Sequence, residues 1–491
     1  MTTVSPPLDV AELIEKYRST GTALLDPKTR GALGQFMTPA PIAQFMASLF
    51  KLTSNIRLLD PGAGTGSLST AFIHRALSRG KRELTIDAWE VDTKLQDVLR
   101  TAFKQQSTKH QKLRTTINTE DFIEACSFYA SAGIKDPYTH AILNPPYKKL
   151  ATNSDHRRYL RSAGIETVNL YAGFTALAIK LLAQRGEMVA ILPRSFCNGP
   201  YYRPFRNILF NECAIKQIHL FESRTAAFKD DEVLQENIII HLLKGARQGP
   251  VKVTISEGAD FSNIQSATHP FGTIVRLDDK ERFIRIPSST DSDYLDPKVC
   301  SDELSQLNVA VSTGPVVGFR MREHLRRDLD SESVPLFYGH HFASGECIWP
   351  QEHKRPNAIA ENNETRKWLM PRGDYVLVKR FSSKEERRRV VAYHVKSSDI
   401  PTPKVGLDNK WNVFHFEKHG IDRDFARGLC VFLNSTILDK HFRIFSGHTQ
   451  VNATDLRSVK YPSREKLVKL GQQLDRIPTD QDQIDNLVDS M

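Results

Sequence analysis

The chain has 491 residues, too many for one compact core and enough for two or three domains. Its 40% hydrophobic and 25% charged residues are globular proportions, which exclude a wholly disordered or fibrous chain. The formal charge of +10 asks for an anionic partner, and it is patterned: residues 1–250 hold 32 basic against 23 acidic side chains, and residues 351–450 hold 19 against 12.

Residues 1–30 read as a helical lead-in. Thr38 followed by Pro39 reads as a helix N-cap and first helical residue. Ile42, Phe45, Met46, Leu49 and Phe50 then share one helical face. From about 56 to 243, apolar strands alternate with helical patterns, the signature of an α/β sheet. Seven strands are expected, at 56–60, 84–90, 115–118, 140–143, 187–192, 215–221 and 237–243. A helical run starts at Leu68 and closes near Gly80, and another covers 170–182. The polar stretch 222–236 suits a hairpin or long loop. At 245–250 the pattern breaks in GARQGP, where a domain boundary is expected. That gives a catalytic domain over 31–245, a mixed α+β domain over 246–470 and an acidic tail over 471–491, frayed or a solvated helix.

The six cysteines are scattered without a CxxC pair, and His340-His341 lacks a metal-like spacing, so neither a disulfide framework nor a metal site is expected. The N-terminus has no basic-then-apolar signal. The greasiest run, 174–183, is short and contains Lys180, so no membrane span is expected. Together these features point to a soluble, cytoplasmic protein.

Three motifs carry chemistry. In LLDPGAGTGSLS an apolar strand ends at Asp60, and Gly62, Gly64 and Gly66 lead into a helix. Glycines there let the backbone turn sharply and approach a ligand at the carboxyl edge of a sheet. The G-x-G-x-G spacing is not that of a dinucleotide fold or a P-loop. Glu90, ending the next strand, can accept both hydroxyl protons of a ribose. Asp121-Phe122, after the third strand, is placed to meet an adenine ring. Asn144-Pro145-Pro146-Tyr147 follows the fourth strand. Its prolines fix φ and remove two amide donors. The Asn144 side-chain oxygen and the Pro145 carbonyl can then accept from one exocyclic amine, holding its lone pair out of the ring and toward an electrophile. Tyr147 offers a stacking face.

These residues resemble the class I S-adenosylmethionine-dependent methyltransferases, and within them the N6-adenine-specific DNA methyltransferases of type II restriction–modification systems. The order GQFMTP (residues 34–39), DPGAGTG, WEVD, NPPY is similar to the gamma class, and the resemblance covers residues 31–243. It implies a Rossmann-like fold with a seven-stranded mixed sheet and S-adenosylmethionine as cofactor. It places Thr38 near the methionine end of that cofactor, with Asp60, Gly62, Gly64 and Gly66 along its loop and Asn144 beside it. By the same resemblance Glu90 binds the ribose, Asp121 the adenine amine, and Phe228 is a second aromatic against a flipped base. Stacking on two faces would offset part of the few kcal/mol of base extrusion. The C-terminal region is similar to target-recognition domains. Lys379, Arg380, Arg387, Arg388 and Arg389 are its candidate phosphate contacts, and Gln450 and Asn452 its candidate base readers.

The expected activity is site-specific adenine-N6 methylation of double-stranded DNA. The chain would act as a monomer, with a separately encoded restriction endonuclease as partner. RNA or a protein glutamine amide is the alternative substrate, since each presents a planar nitrogen. A fused nuclease is disfavoured, because no room precedes the glycine loop.

Overall fold

A computed structural model describes residues 9–26, 36–78, 82–133, 138–222, 236–261, 263–276, 278–287, 295–296, 298–343, 345–382, 386–445 and 450–491. The chain forms two compact units, Met1–Ser289 and Thr290–Met491.

In the first unit, helices α1 (Val10–Leu24) and α2 (Ala40–Ser48) lead into β1 (Asn55–Pro61), α3 (Ser67–Leu77), β2 (Glu83–Trp89) and α4 (Thr93–Lys109). Next come β3 (Leu113–Asn118), α5 (Phe122–Ser131), β4 (Tyr138–Leu143), α6 (Asp155–Ser162), α7 (Leu170–Leu181) and β5 (Leu182–Pro193). The unit closes with α8 (Arg203–Glu212), β6 (Cys213–Phe221), β7 (Asn237–Lys244), β8 (Val251–Ser256) and β9 (Ile264–His269).

All these strands join one sheet in the order β3-β2-β1-β4-β5-β7-β6-β8-β9. β1 pairs in parallel with both β2 and β4, while β7 lies antiparallel between β5 and β6. Chain order therefore reverses between β1 and β4. At such a switch point the connections leave in opposite directions and open a crevice at the carboxyl ends of the strands. The sheet is apolar on both faces, as a helix-covered parallel sheet must be. Leu58, Ile142, Val189 and Ile191 pack with α2 and α3, while their neighbours Leu59, Ala141, Leu143 and Ala190 pack with α5 and α7.

The seven expected strands are all present, but the sheet has nine, because it does not stop at 245. GARQGP is a tight connection within the sheet rather than a linker. Gly245 turns at φ +62°, and the Gln248 side chain bonds both the amide and the carbonyl of Ile215. The chain then returns as β8, parallel to β6, burying Val251 and Val253. The alternation V-K-V-T-I-S in β8 carried this signal, and the Gly-Pro punctuation masked it. Residues 251–269 thus belong to the first unit.

The second unit holds a four-stranded sheet (Ala310–Thr313, Trp411–His415, Tyr375–Lys379, Ala392–Val395) and a five-stranded one built around Ser333–Phe337. The tail departs from expectation. Its helix Gln481–Asp489 buries Ile484 and Val488, and the Asp485 carboxylate accepts from the Thr436 amide and hydroxyl. Helices Arg423–Leu433 and Arg464–Gln472 meet through glycines: a Cβ on Gly428 would fall 1.9 Å from the Leu467 carbonyl oxygen. No described helix is long and apolar enough to cross a membrane.

Gly428→Ala is therefore expected to cost about 1–3 kcal/mol by overpacking, seen as a lower urea midpoint by circular dichroism. An unchanged midpoint would mean that the two helices do not meet there.

Candidate active site

The crevice at the carboxyl ends of β1, β2, β3 and β4 is a cleft of about 440 Å³. Its floor is the loop between β1 and α3. Gly62, Gly64 and Gly66 all have positive φ, at +76°, +57° and +79°, where a side chain would be strained. A Cβ on Gly64 would also press on the Met37 sulfur at 3.0 Å. The amides of Gly62 and Ala63 both donate to the Trp89 carbonyl, which ties the loop to the end of β2.

Glu90 lines this cleft, 6% exposed. One carboxylate oxygen accepts from the Gly64 amide at 2.8 Å and the other from the Asp92 amide at 2.8 Å. Burial pushes its pKa up, while these two bonds favour the charged form. Each oxygen keeps a lone pair for a ligand hydroxyl. Asp60 differs from expectation. It is fully buried beneath the loop, outside the cleft lining, and accepts from the Ser69 hydroxyl at 2.6 Å. Burial raises its carboxyl to about 7. Asp60 therefore braces the start of α3 instead of facing the cleft. Gly66 is likewise structural: it is the residue before α3, packed against Leu99.

Asp121 lines the cleft with both oxygens held by protein. One caps α5 by accepting from the Glu124 amide at 2.9 Å, and the other meets His156 Nε2 at 2.9 Å. Burial pushes Asp121 up, but the His156 and backbone bonds outweigh it and hold the carboxyl below its ordinary range. The same bond raises His156. His156, in the first turn of α6, is a cleft residue that no motif announced.

Asn144 follows β4. Its amide nitrogen donates to the Phe36 carbonyl at 2.8 Å and to the Thr38 hydroxyl at 3.0 Å. A backbone carbonyl can only accept, so the amide orientation is determined and Oδ1 points the other way. There Oδ1 accepts from the Tyr147 hydroxyl at 3.0 Å. Pro146 lines the cleft, whereas Pro145 is buried. The Tyr147 ring lies 5.8 Å from Phe36 and 6.2 Å from Tyr171, and burial raises its hydroxyl pKa, keeping it a donor. Thr38 is not a cap: α2 starts at Ala40, after Pro39, and the Thr38 hydroxyl serves Asn144. Phe36 was the silent member of GQFMTP, since its contribution to Asn144 is a carbonyl that every residue carries. Phe228 lies outside the described residues.

The lead-in helix braces this site. Glu15 of α1 accepts from the Ala40 amide at 2.7 Å, capping α2 from a distance. Tyr17 bonds Gln105 of α4. A Cβ on Gly21 would fall 2.2 Å from the Thr65 methyl, so α1 touches the glycine loop itself.

In the second unit the candidate cations divide. Lys379 is half-buried and Arg387 exposed. Arg380 donates to the Asn409 carbonyl at 2.7 Å, and Arg388 to the Asn434 carbonyl at 2.9 Å. Arg389 is only 1% exposed, with its guanidinium on the Ser382 hydroxyl, so it is a core residue with no face for a phosphate. A charge run read linearly misses this, because neighbouring side chains point to different sides of the backbone. Asn452 starts a short helix, where its amide groups bond the Asp455 carboxylate, and is not free to read a base. Gln450 pairs its backbone with Phe381.

Residues 49–228 match the Eco57I restriction-modification methylase family. The type II methyltransferase M.BsuBI of Bacillus subtilis is 48% identical over 475 residues, covering 94% of this chain and 93% of its own length. M.PstI of Providencia stuartii is 41% identical, covering 98% of this chain and 97% of its own. The solved type IIL restriction-modification enzyme MmeI, in complex with DNA, shares the fold with a TM-score of 0.53 at 12% identity. That match covers 99% of this chain and 79% of MmeI.

Because α1 touches the loop, Gly21→Val is expected to weaken cofactor binding about tenfold, roughly 1.4 kcal/mol, measured by isothermal titration calorimetry. Glu15→Gln keeps an acceptor for Ala40 and should bind cofactor like the parent. Unchanged affinity in Gly21→Val would detach α1 from the loop.

Proposed function

The chain belongs to the type II methyltransferases of restriction–modification systems, and we propose that the atom it methylates is N6 of an adenine turned out of duplex DNA. S-adenosylmethionine is the methyl donor and supplies an electrophilic methyl group when bound. The cleft fits it. A Cβ on Gly62 would stand among the cleft's own lining, 3.6 Å from Phe174 and 3.9 Å from Pro146, and a buried carboxylate waits at the end of β2. In this reading Glu90 takes the ribose hydroxyls through its remaining lone pairs. Gly62 and Gly64 run along the methionine part, near Thr38, and Asp121, anchored by His156, meets the purine.

The single observation that carries the reading is the fixed amide of Asn144. With its nitrogen committed to the Phe36 carbonyl, Oδ1 is a preset acceptor, and it has a second lone pair beside the one used by Tyr147. Oδ1 and the Pro145 carbonyl take the two amine hydrogens of the target base, so the nitrogen lone pair leaves the ring plane and can attack. Preorganised acceptors need no rearrangement at the moment of reaction. Pro146 and Tyr147 wall the base. Asparagine at the head of the motif favours adenine, since serine or aspartate more often stands there in enzymes for cytosine N4. Likeness to type II methyltransferases along nearly the whole chain disfavours RNA or a protein glutamine as substrate. The chain would act as a monomer, paired in function with a separately encoded endonuclease.

Incubation with labelled cofactor and plasmid DNA should yield N6-methyladenine on nuclease digestion. Label found only in cytosine, RNA or protein would overturn the reading. Asn144→Ala should lower kcat by about 10²–10³-fold while cofactor affinity stays unchanged. A variant that kept full kcat would reduce NPPY to a turn.

A further inference from the structure

Part of the cofactor cleft is walled by a segment that none of the motifs marks. Residues 148–169 leave NPPY, form α6 and return to α7. The two ends of the segment are joined: the Leu150 amide donates to the Val168 carbonyl and the Leu170 amide to the Lys148 carbonyl, each at 2.8 Å. Within it, Ser154 caps α6 by accepting from the Arg157 amide, and the Glu166 carboxylate holds both Arg157 and Arg161. Leu150, Ser154 and His156 of this segment line the cleft. Side chains tie α6 to the start of α5: His156 Nε2 meets Asp121 at 2.9 Å, and the Tyr159 hydroxyl donates to Glu124 at 2.9 Å. The first tie lies on the cleft lining and the second lies off it.

Val91, Phe122 and Phe174 give the cleft apolar faces. Such faces stack on any flat ring and do not tell one purine from another, so a polar edge has to. Asp121 supplies one. Burial pushes its carboxyl up, but the His156 and backbone bonds hold it below its ordinary range, so it is a carboxylate at pH 7. An ionised carboxylate only accepts, and His156 Nε2 therefore carries the hydrogen of their bond, in the neutral ring and the charged one alike. The last torsion of an aspartate is soft. The Glu124 amide pins Oδ1, and His156, by pinning Oδ2 as well, fixes the plane of the whole group. Each oxygen keeps a further lone pair for a ligand.

We propose that His156 sets the preference of the cleft for an adenine ring, by holding Asp121 Oδ2 so that its second lone pair is aimed at the exocyclic amine of the cofactor. His156 is a positioning residue, acting through Asp121, and its role rests on the reading in which Asp121 meets the purine of S-adenosylmethionine. A hypoxanthine ring carries a carbonyl oxygen where adenine carries the amine. Against a fixed carboxylate, two acceptors would then meet with no hydrogen between them, which rejects the wrong ring as well as favouring the right one. A carboxylate free to turn would swing away from that oxygen. Discrimination therefore depends on the plane that His156 holds.

The test is isothermal titration calorimetry of the full chain with S-adenosylhomocysteine and with its deaminated analogue, which carries hypoxanthine. The quantity read is the ratio of the two affinities. The parent should favour the adenine form by about ten- to a hundredfold, the worth of one hydrogen bond to a charged group. His156→Leu, and His156→Asn with its shorter reach, should each lower that ratio about tenfold. His156→Gln, which can put a nitrogen where Nε2 stands, should restore most of it. Tyr159→Phe breaks the other tie of α6 and should keep the parent's ratio. A disturbed wall would weaken both ligands alike. An unchanged ratio in His156→Leu and His156→Asn, or an equal fall in Tyr159→Phe, would therefore overturn the role of His156 alone. A parent that binds both forms equally would overturn the meeting of Asp121 with the purine, and the role of His156 with it.

Discussion

A backbone carbonyl oxygen has no proton to give, and one such atom decides how this active site can work. The Phe36 carbonyl accepts from the Asn144 side-chain nitrogen at 2.8 Å, with the Thr38 hydroxyl beside it at 3.0 Å. The amide of Asn144 has two faces, and only one orientation satisfies that carbonyl. Its oxygen is thereby turned toward Tyr147 and made available to an incoming amine. Much else in the first unit serves to hold residues 36–38 and 144 together. Helix α2 begins immediately after that segment, and Glu15 caps α2 from α1. The β1–β4 pairing delivers Asn144 beside the glycine loop.

The sheet explains why so few residues suffice. Four parallel strands end at one edge, and each contributes one element of the cleft: the glycine loop after β1, Glu90 after β2, Asp121 after β3 and Asn144 after β4. Buried strands on both sides fix those ends, so the polar groups need only short connections. Where a carboxylate sits decides its work. Glu90 and Asp121 border the cleft, while Asp60, one turn of backbone away, is fully buried against Ser69 and supports the loop from beneath.

Residues whose signal is local were legible in the sequence. A strand followed by spaced glycines, an acid at the next strand end and two consecutive prolines each leave a mark in linear order, and the seven strands of 56–243 follow from apolar runs. The parts that were not legible depend on distant contacts. Nothing near Phe36 marks its carbonyl, and His156 matters through Asp121, 35 positions away. Arg389 reads as one of three surface arginines until its side chain is placed inside the unit. The strand at 251–256 was hidden because Gly and Pro serve a turn within a sheet as well as a linker between domains. The tail's charges masked Ile484 and Val488, two apolar residues at helical spacing.

The most direct measurement is a crystal structure of the protein with a cofactor analogue and its target duplex. On this mechanism it should show an extruded adenine whose N6 lies about 3 Å from both Asn144 Oδ1 and the Pro145 carbonyl, with the Asn144 nitrogen still on the Phe36 carbonyl. An amide that has let go of Phe36, or an N6 held by other groups, would contradict it.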